Sequence, residues 1–116
     1  METRLFLPHT LPKELFITFR MREQAIKWWN NLGNNPLSRL TTKHHSFDRK
    51  PSSLTGREIQ EIMESEAIEW WDLMNFEDQF FSTIKWLKSN NRDTTERHPH
   101  NLTREEIAEI FCFLTN

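Results

Sequence analysis

The sequence predicts an all-α protein of about five helices, arranged as two tandem pseudo-repeats that share a central helix. Three observations predict it: a helix-start motif that occurs twice, a tryptophan pair that occurs twice, and a shortage of breakers, with two glycines and five prolines in 116 residues.

The helix-start motif runs from Asp48 to Met63 and again from Glu96 to Phe111, at an offset of 48, with eight of sixteen positions identical. Its pattern, acid-Arg-x-Pro-x-x-Leu-Thr-x-x-Glu-Ile-x-Glu-Ile, has a mechanical meaning. Thr55 and Thr103 stand as N-caps, and Glu58 and Glu106 stand at N3 to close capping boxes. Leu54 with Ile59, and Leu102 with Ile107, form hydrophobic staples across each start. The tryptophan motif is Ala25-Ile26-Lys27-Trp28-Trp29 against Ala67-Ile68-Glu69-Trp70-Trp71, at an offset of 42. The two offsets differ by six residues, which places an insertion between the motifs of the second copy. Internal duplication accounts for both correspondences more simply than convergent use of good capping and packing residues.

Taken in order, the elements begin with a short extended stretch, Arg4 to Leu7. Residues Glu14 to Phe19 have strand-like composition, yet Leu11, Leu15, Phe19 and Ile26 also fit a helix capped by Thr10 and continuous with Trp28-Trp29, and the helix is favoured. That first helix is expected to end near Gly33 as its C′ residue. A short second helix starts with Asn35 as cap and Pro36 at N1, presenting Leu37 and Leu40, and a polar loop runs from Thr41 to Ser53. The third helix runs from Thr55 without a breaker through the second tryptophan pair to about Met74. It thereby closes the first pseudo-repeat (about 21–63) and opens the second (about 64–115), with 1–20 as an extension of a single domain, 1–116. Ile59, Ile62, Met63, Ala67, Trp70, Trp71, Leu73 and Met74 cover about half its circumference, so it is expected to touch neighbours on both sides. Asn75 caps the fourth helix with Asp78 at N3, and Phe76, Phe80, Phe81, Ile84 and Leu87, with Trp86, are expected to face the core to about Ser89. After a polar loop from Asn90 to Asn101, the last helix, Thr103 to Thr115, buries Ile107, Ile110, Phe111 and Leu114.

Nine phenylalanines and five tryptophans stand against no tyrosine and a hydrophobic fraction of 36%, so aromatic rings must supply most of the core. Cys112 is the one cysteine, which excludes an intrachain disulfide framework and a cysteine-cluster zinc site. The apolar run at the N-terminus is too short for a signal peptide, and no stretch approaches the roughly 20 apolar residues of a membrane span. A cytoplasmic protein with no membrane partner is expected. Charge is lopsided: residues 1–50 hold nine Lys/Arg and four acids, residues 51–116 six and thirteen, so the halves carry +5 and −7. Such asymmetry favours intrachain packing, head-to-tail self-association or an oppositely charged partner.

Candidate chemistry is sparse. His98-Pro99-His100 and His44-His45 are imidazole pairs, but His98 and His100 align with Lys50 and Ser52, variable positions of a pre-helix turn, and adjacent histidines do not easily face one ion. No metal and no cofactor is expected. Glu58 is committed to capping, and Glu61, Glu64, Glu66, Glu69 and Asp72 have the spacing of a solvated helix face. No phosphate-binding glycine loop and no nucleophile frame occurs, so no enzyme is expected. In each tryptophan pair the side chains diverge by about 100°, so one is expected in the core and the other at its margin, available to a partner. Arg20, Arg22, Lys27, Arg39 and Lys43 around Trp28 and Trp29 form the candidate partner-binding set. The expectation is a non-enzymatic protein-interaction module. The alternatives are a nucleic-acid-binding accessory protein using this basic half with an aromatic platform, against which the pI near 6.2 counts, and a self-associating structural or virion subunit, a homo-oligomer.

The run Ala25-Ile26-Lys27-Trp28-Trp29-Asn30-Asn31-Leu32, followed by Ser53-Leu54-Thr55-Gly56-Arg57-Glu58-Ile59-Gln60-Glu61-Ile62, resembles small uncharacterised proteins of phage and bacterial genomes over about a third of the chain. The resemblance implies an intracellular, phage-derived accessory or inhibitor protein. It assigns no role to any residue.

Overall fold

The computed structural model describes residues 13–115, with side chains from Arg20 onward. Within them the chain is all-helical: α1 is Lys13–Asn30, α2 Asn34–His44, α3 Gly56–Asp72, α4 Phe76–Ser89 and α5 Arg104–Thr115, with 3-10 turns at Pro51–Ser53 and Pro99–Asn101 and no strand. Residues 14–19 are therefore helix and continuous with the first tryptophan pair. The stretch Arg4–Leu7 and the Thr10 cap lie outside the described residues.

Helices α1, α3 and α5 pack on one another and form the centre; α4 lies on α5 and the Pro99–Asn101 turn, and α2 lies on the Pro51–Ser53 turn. Aromatic rings fill this centre. Trp28 and Trp70 both present edge-type contacts to Phe111, with centroids 5.9 and 5.3 Å away, so one phenylalanine of α5 joins the tryptophan pairs of α1 and α3. Met21, Ala25, Ile62, Met63, Ala67, Leu87, Ala108 and Ile110 are almost completely excluded from solvent around them. The small residues let the helices approach. At the start of α3 a Cβ on Gly56 would lie 3.0 Å from Arg22 Cδ, so the absent side chain makes room for Arg22, whose Nε donates to Gln60 Oε1 at 2.9 Å.

The two helix starts have matching geometry. Thr55 N–H donates to Glu58 Oε1 at 2.8 Å and Glu58 N–H to Thr55 Oγ1 at 3.1 Å; Thr103 and Glu106 repeat both bonds at 2.8 and 3.1 Å. Leu54 and Leu102 each have φ −76° and ψ 139°. Arg49 bonds Glu58 and the carbonyl of Ser53, and Arg97 bonds Glu106 and the carbonyl of Asn101. The motif of arginine, proline, threonine and glutamate thus folds as one closed corner wherever it occurs.

The matching extends to the helices that precede these corners, and it corrects three expectations about α2. Gly33 is not a left-handed C′ residue. It has φ −76° and ψ 173° and is the N-cap of α2, as Asn75, with φ −75° and ψ 169°, is the N-cap of α4. Asn35 is accordingly not the cap, and Pro36 falls inside the first turn, where its missing N–H removes no helical bond. The polar loop expected from Thr41 begins only after His44. Thr41 is buried, and its hydroxyl donates to the Leu37 carbonyl at 2.7 Å, as Thr83 donates to Gln79 at 2.8 Å in α4. A buried hydroxyl satisfied by its own helix behaves as a packing residue, which a reading by polarity misses.

Helix α4 is turned relative to expectation. Ser82, Thr83, Trp86 and Leu87 are its buried residues, whereas Phe76, Phe80 and Phe81 are 49, 37 and 59% exposed. Ser82 and Thr83 are small enough for close approach, and with Trp86 and Leu87 they define a core direction that leaves Phe76 and Phe80 at its flank and Phe81 on the opposite side of the helix. Helix α5 buries Ile107, Ile110 and Phe111, with Leu114 half-buried against the core.

Candidate interaction surface

The basic half meets the acidic half within the chain. Arg20 of α1 pairs with Glu109 of α5. Lys43 Nζ of α2 lies 2.7 Å from Glu66 and 3.1 Å from Glu69 of α3, and His44 Nε2 lies 2.9 Å from Glu66. Arg104 of α5 reaches Glu64 of α3 at 3.1 Å. Hydrogen bonding by Glu66 and Glu69 raises the Lys43 pKa. Burial pushes the Glu66 carboxyl up, but the bonds from Lys43 and His44 outweigh it and leave it below the usual range. Hydrogen bonding from Arg49 and the Thr55 N–H takes Glu58 down to about 2. Arg20, Lys43 and His44 of the basic half thus clamp α1 and α2 to acids of α5 and α3, and Arg104 clamps α5 to α3 within the acidic half.

This rearranges the candidate set read from sequence. Trp28 and Trp29 are both buried, at 6 and 5% exposure, so neither stands at the margin; in the second pair Trp71 is buried and Trp70 half-buried. Trp28 packs on Phe111 of α5, and Trp29 lies at the floor of the groove lined by Leu37 and Pro51. Arg20 and Lys43 are engaged with Glu109, Glu66 and Glu69, and Arg22 with Gln60. Lys27 and Arg39 are exposed. Lys27 stands on a groove of about 430 Å³ between α1, α4 and α5, lined also by Gln24, Trp86, Asn90, Glu109, Cys112 and Phe113. Cys112 is buried, its thiol pushed up to about 11 by burial, and it contacts the Met63 sulfur at 3.1 Å. A thiol so placed is a packing residue rather than a nucleophile. Among the described residues, therefore, Trp28 and Trp29 are buried and Arg20, Arg22 and Lys43 are engaged within the chain.

What the structure gathers instead is aromatic and lies on α4 and the Pro99–Asn101 turn. Phe76 stacks on Phe80 with centroids 6.2 Å apart and on His100 at 5.3 Å, and it lies 5.7 Å from His98; Phe80 meets Phe81 edge-on at 6.0 Å. The cluster joins α4 to the Pro99–Asn101 turn. His98 and His100, considered above as metal ligands, are here ring neighbours at 5.1 Å. Among the described residues no three His, Cys, Asp or Glu side chains are grouped to hold a metal ion.

The equivalent place in the first half is different. At the offset of 42 that relates Gly33 to Asn75, the residues matching Phe76, Phe80 and Phe81 are Asn34, Ser38 and Arg39, and those matching the buried Ser82 and Thr83 are the buried Leu40 and Thr41. A groove of about 540 Å³ stands open there, lined by Trp29, Asn34, Leu37, Ser38, Lys50, Pro51 and Ser52. The matching positions of the second half include Phe76, Phe80, His98 and His100, the rings that stack on one another. Phe76 and Phe80 therefore fill a groove, while Phe81, on the far side of the helix, fills nothing.

Sequence reasoning missed this surface because it counted phenylalanines as core. The available signal was the inner face itself: Gln79, Ser82, Thr83 and Trp86 correspond, at the offset of 42, to Leu37, Leu40, Thr41 and His44. No helix is long and apolar enough to cross a membrane among the described residues. No protein-family model matches the chain, and no curated protein or solved structure is similar to it.

Proposed function

We propose that the protein is a small non-enzymatic protein-interaction module, working in a reducing intracellular compartment, whose contact surface is the outward face of α4 with the Phe76–His98–His100 cluster at its side. One observation carries the reading. Two helices with matching N-cap backbones, matched inner threonines and matched corners differ in that α4 exposes Phe76, Phe80 and Phe81 where α2 has Asn34, Ser38 and Arg39. Helix α2 carries Arg39 at the position of Phe81, so that outward ring is not a requirement of the helix. Exposed aromatic clusters on small proteins mark contact sites, and aromatic side chains are enriched in interface cores.

The reading is non-enzymatic because the buried thiol is unreactive in character and the acids that depart from their ordinary pKa are engaged in capping, in ion pairs or, at Asp93, in a turn with Thr95. The nucleic-acid reading loses its argument where Arg20 and Lys43 are held by acids and both tryptophans of the platform are buried. The test is site-specific photocrosslinking in living cells with benzoylphenylalanine at position 81. The expected result is a discrete protein adduct, absent when the probe stands at position 39 of α2. If position 81 gives no protein adduct, or gives the same adducts as position 39, the reading is wrong.

A further inference from the structure

Along the outward side of α4 run Glu77, Phe81, Ile84 and Lys88, spaced i, i+4, i+7, i+11, with Ile84 at its half-buried edge. That is the spacing of a helix-pairing seam, two apolar positions at the centre with a charge at each end. Glu77, Phe81 and Lys88 are exposed and Ile84 is half-buried. Among the described residues neither Glu77 nor Lys88 has an ion-pair partner.

The order of chemistry along the seam is acid, ring, aliphatic, base. Laid antiparallel on a copy of itself, it brings Glu77 opposite Lys88 at both ends and Phe81 opposite Ile84 twice in the middle. Laid parallel, it opposes Glu77 to Glu77 and Lys88 to Lys88. The seam is therefore self-complementary in one orientation only, as a two-fold symmetric contact requires. From this charge complementarity we infer that the outward face of α4 docks on α4 of a second copy of the chain, antiparallel, about a dyad between Phe81 and Ile84. The inference rests on the interaction surface proposed above and names its occupant.

The counterpart helix supports the assignment. Glu77, Phe81 and Ile84 match Asn35, Arg39 and Thr42 of α2, at the offset of 42, so the first half has no such seam and the contact closes as a dimer rather than growing into a chain. The seam spans about 16 Å at 1.5 Å per residue. One helix pair of this length buries less than the roughly 800 Å² per partner of a stable interface, so the dimer is weak and concentration-dependent.

Sedimentation equilibrium between about 20 μM and 1 mM, a range chosen for a weak contact, tests it on the full chain. The mass is expected to rise from 14.1 kDa towards twice that value. Glu77→Lys alone and Lys88→Glu alone place like charges at both ends and are expected to stay monomeric, with helix content by circular dichroism as in the parent. The double variant Glu77→Lys/Lys88→Glu restores both pairs and is expected to dimerise. Mixing the two single variants is expected to give a heterodimer. A parent chain monomeric at every concentration overturns the proposal, and so do single variants that associate as the parent does. A chain that stays monomeric yet crosslinks from position 81 to a different protein overturns the second copy as occupant while leaving the interaction module in place.

Discussion

Helix α2 and helix α4 share an extended N-cap and a buried threonine but pack on different neighbours, and comparing them separates what the fold needs from what it carries. Each begins at an extended N-cap, Gly33 or Asn75, with its first hydrogen bond from residue 37 or 79 to that cap at 3.1 Å. Each buries a threonine bonded to its own helix, and each leads to a proline-initiated 3-10 turn and a capping box. They differ outside. The cationic end of α2 is tied to α3 through Lys43 and His44, whereas α4 turns phenylalanine, glutamate and lysine to solvent. The two segments differ on both faces: inside, the buried Leu40 stands against the buried Ser82 and His44 against the buried Trp86, and outside, only α4 presents exposed rings. The exposed rings are what place the candidate site on α4.

The comparison breaks most completely where the halves meet. Phe111 contacts both tryptophan pairs, so Phe111→Ala removes the edge contacts of Trp28 and Trp70 together. A loss of about 3–5 kcal/mol is expected in urea unfolding, the range for a large aromatic removed from a core. Its counterpart at the offset of 48 is Met63, fully buried but flexible, and Met63→Ala should lose less, about 2–3 kcal/mol. Equal losses would mean that the rings do not join the halves as described. A second experiment sharpens the comparison by construction. The pair Asn34→Phe and Ser38→Phe transfers the groove-filling rings of α4 to α2, over Trp29, Leu37 and Pro51, and should stabilise by about 1 kcal/mol through added apolar burial. A destabilised variant would show that the two grooves differ in shape.

How much of this was legible in the sequence depended on whether a signal was local. Thr55, Glu58, Thr103, Glu106, Asn75 and Asp78 could be placed at helix starts because capping joins residues three apart in the chain. The buried face of α4 could not, because what turns Phe81 outward is the closeness of α5 to Ser82 and Thr83, a tertiary fact. Gly33 was read as a helix end since glycine favours that place, yet its extended backbone makes it a start. The charge asymmetry was visible, but its use was not: Arg20 finds Glu109 from across the chain, and no spacing rule connects them.

The paired corners offer an intermediate effect. Thr55→Ala and Thr103→Ala each remove one accepting hydroxyl at a helix start, and each should lose about 1 kcal/mol. Their near equality is the result that matters, since it measures the matched geometry. Acid probes the same corner differently. The Glu58 carboxyl, held at about 2 against an ordinary 4.5 by the Arg49 bond and the Thr55 N–H, stays charged in the folded state after its unfolded counterpart has taken a proton. Its contribution is therefore complete above about pH 4.5 and is lost as pH falls towards 2. The protection of the Thr55 amide, the unstructured exchange rate at the same pH relative to its own, is expected to fall through that window, and Glu58→Gln should remove most of the dependence.

The smallest effect on stability is the most informative about function. Phe81 is 59% exposed, and phenylalanine and serine have similar helix propensities, so Phe81→Ser should change unfolding free energy by no more than about 0.5 kcal/mol. The matching position in α2 is already polar, as Arg39, without loss of the helix. A residue whose ring makes little difference to the chain on its own, but whose removal abolishes association, is held there by what docks against it. Should Phe81→Ser instead unfold the protein by several kcal/mol, the ring would belong to the core after all, and the contrast between α2 and α4 would be a difference in packing rather than in purpose.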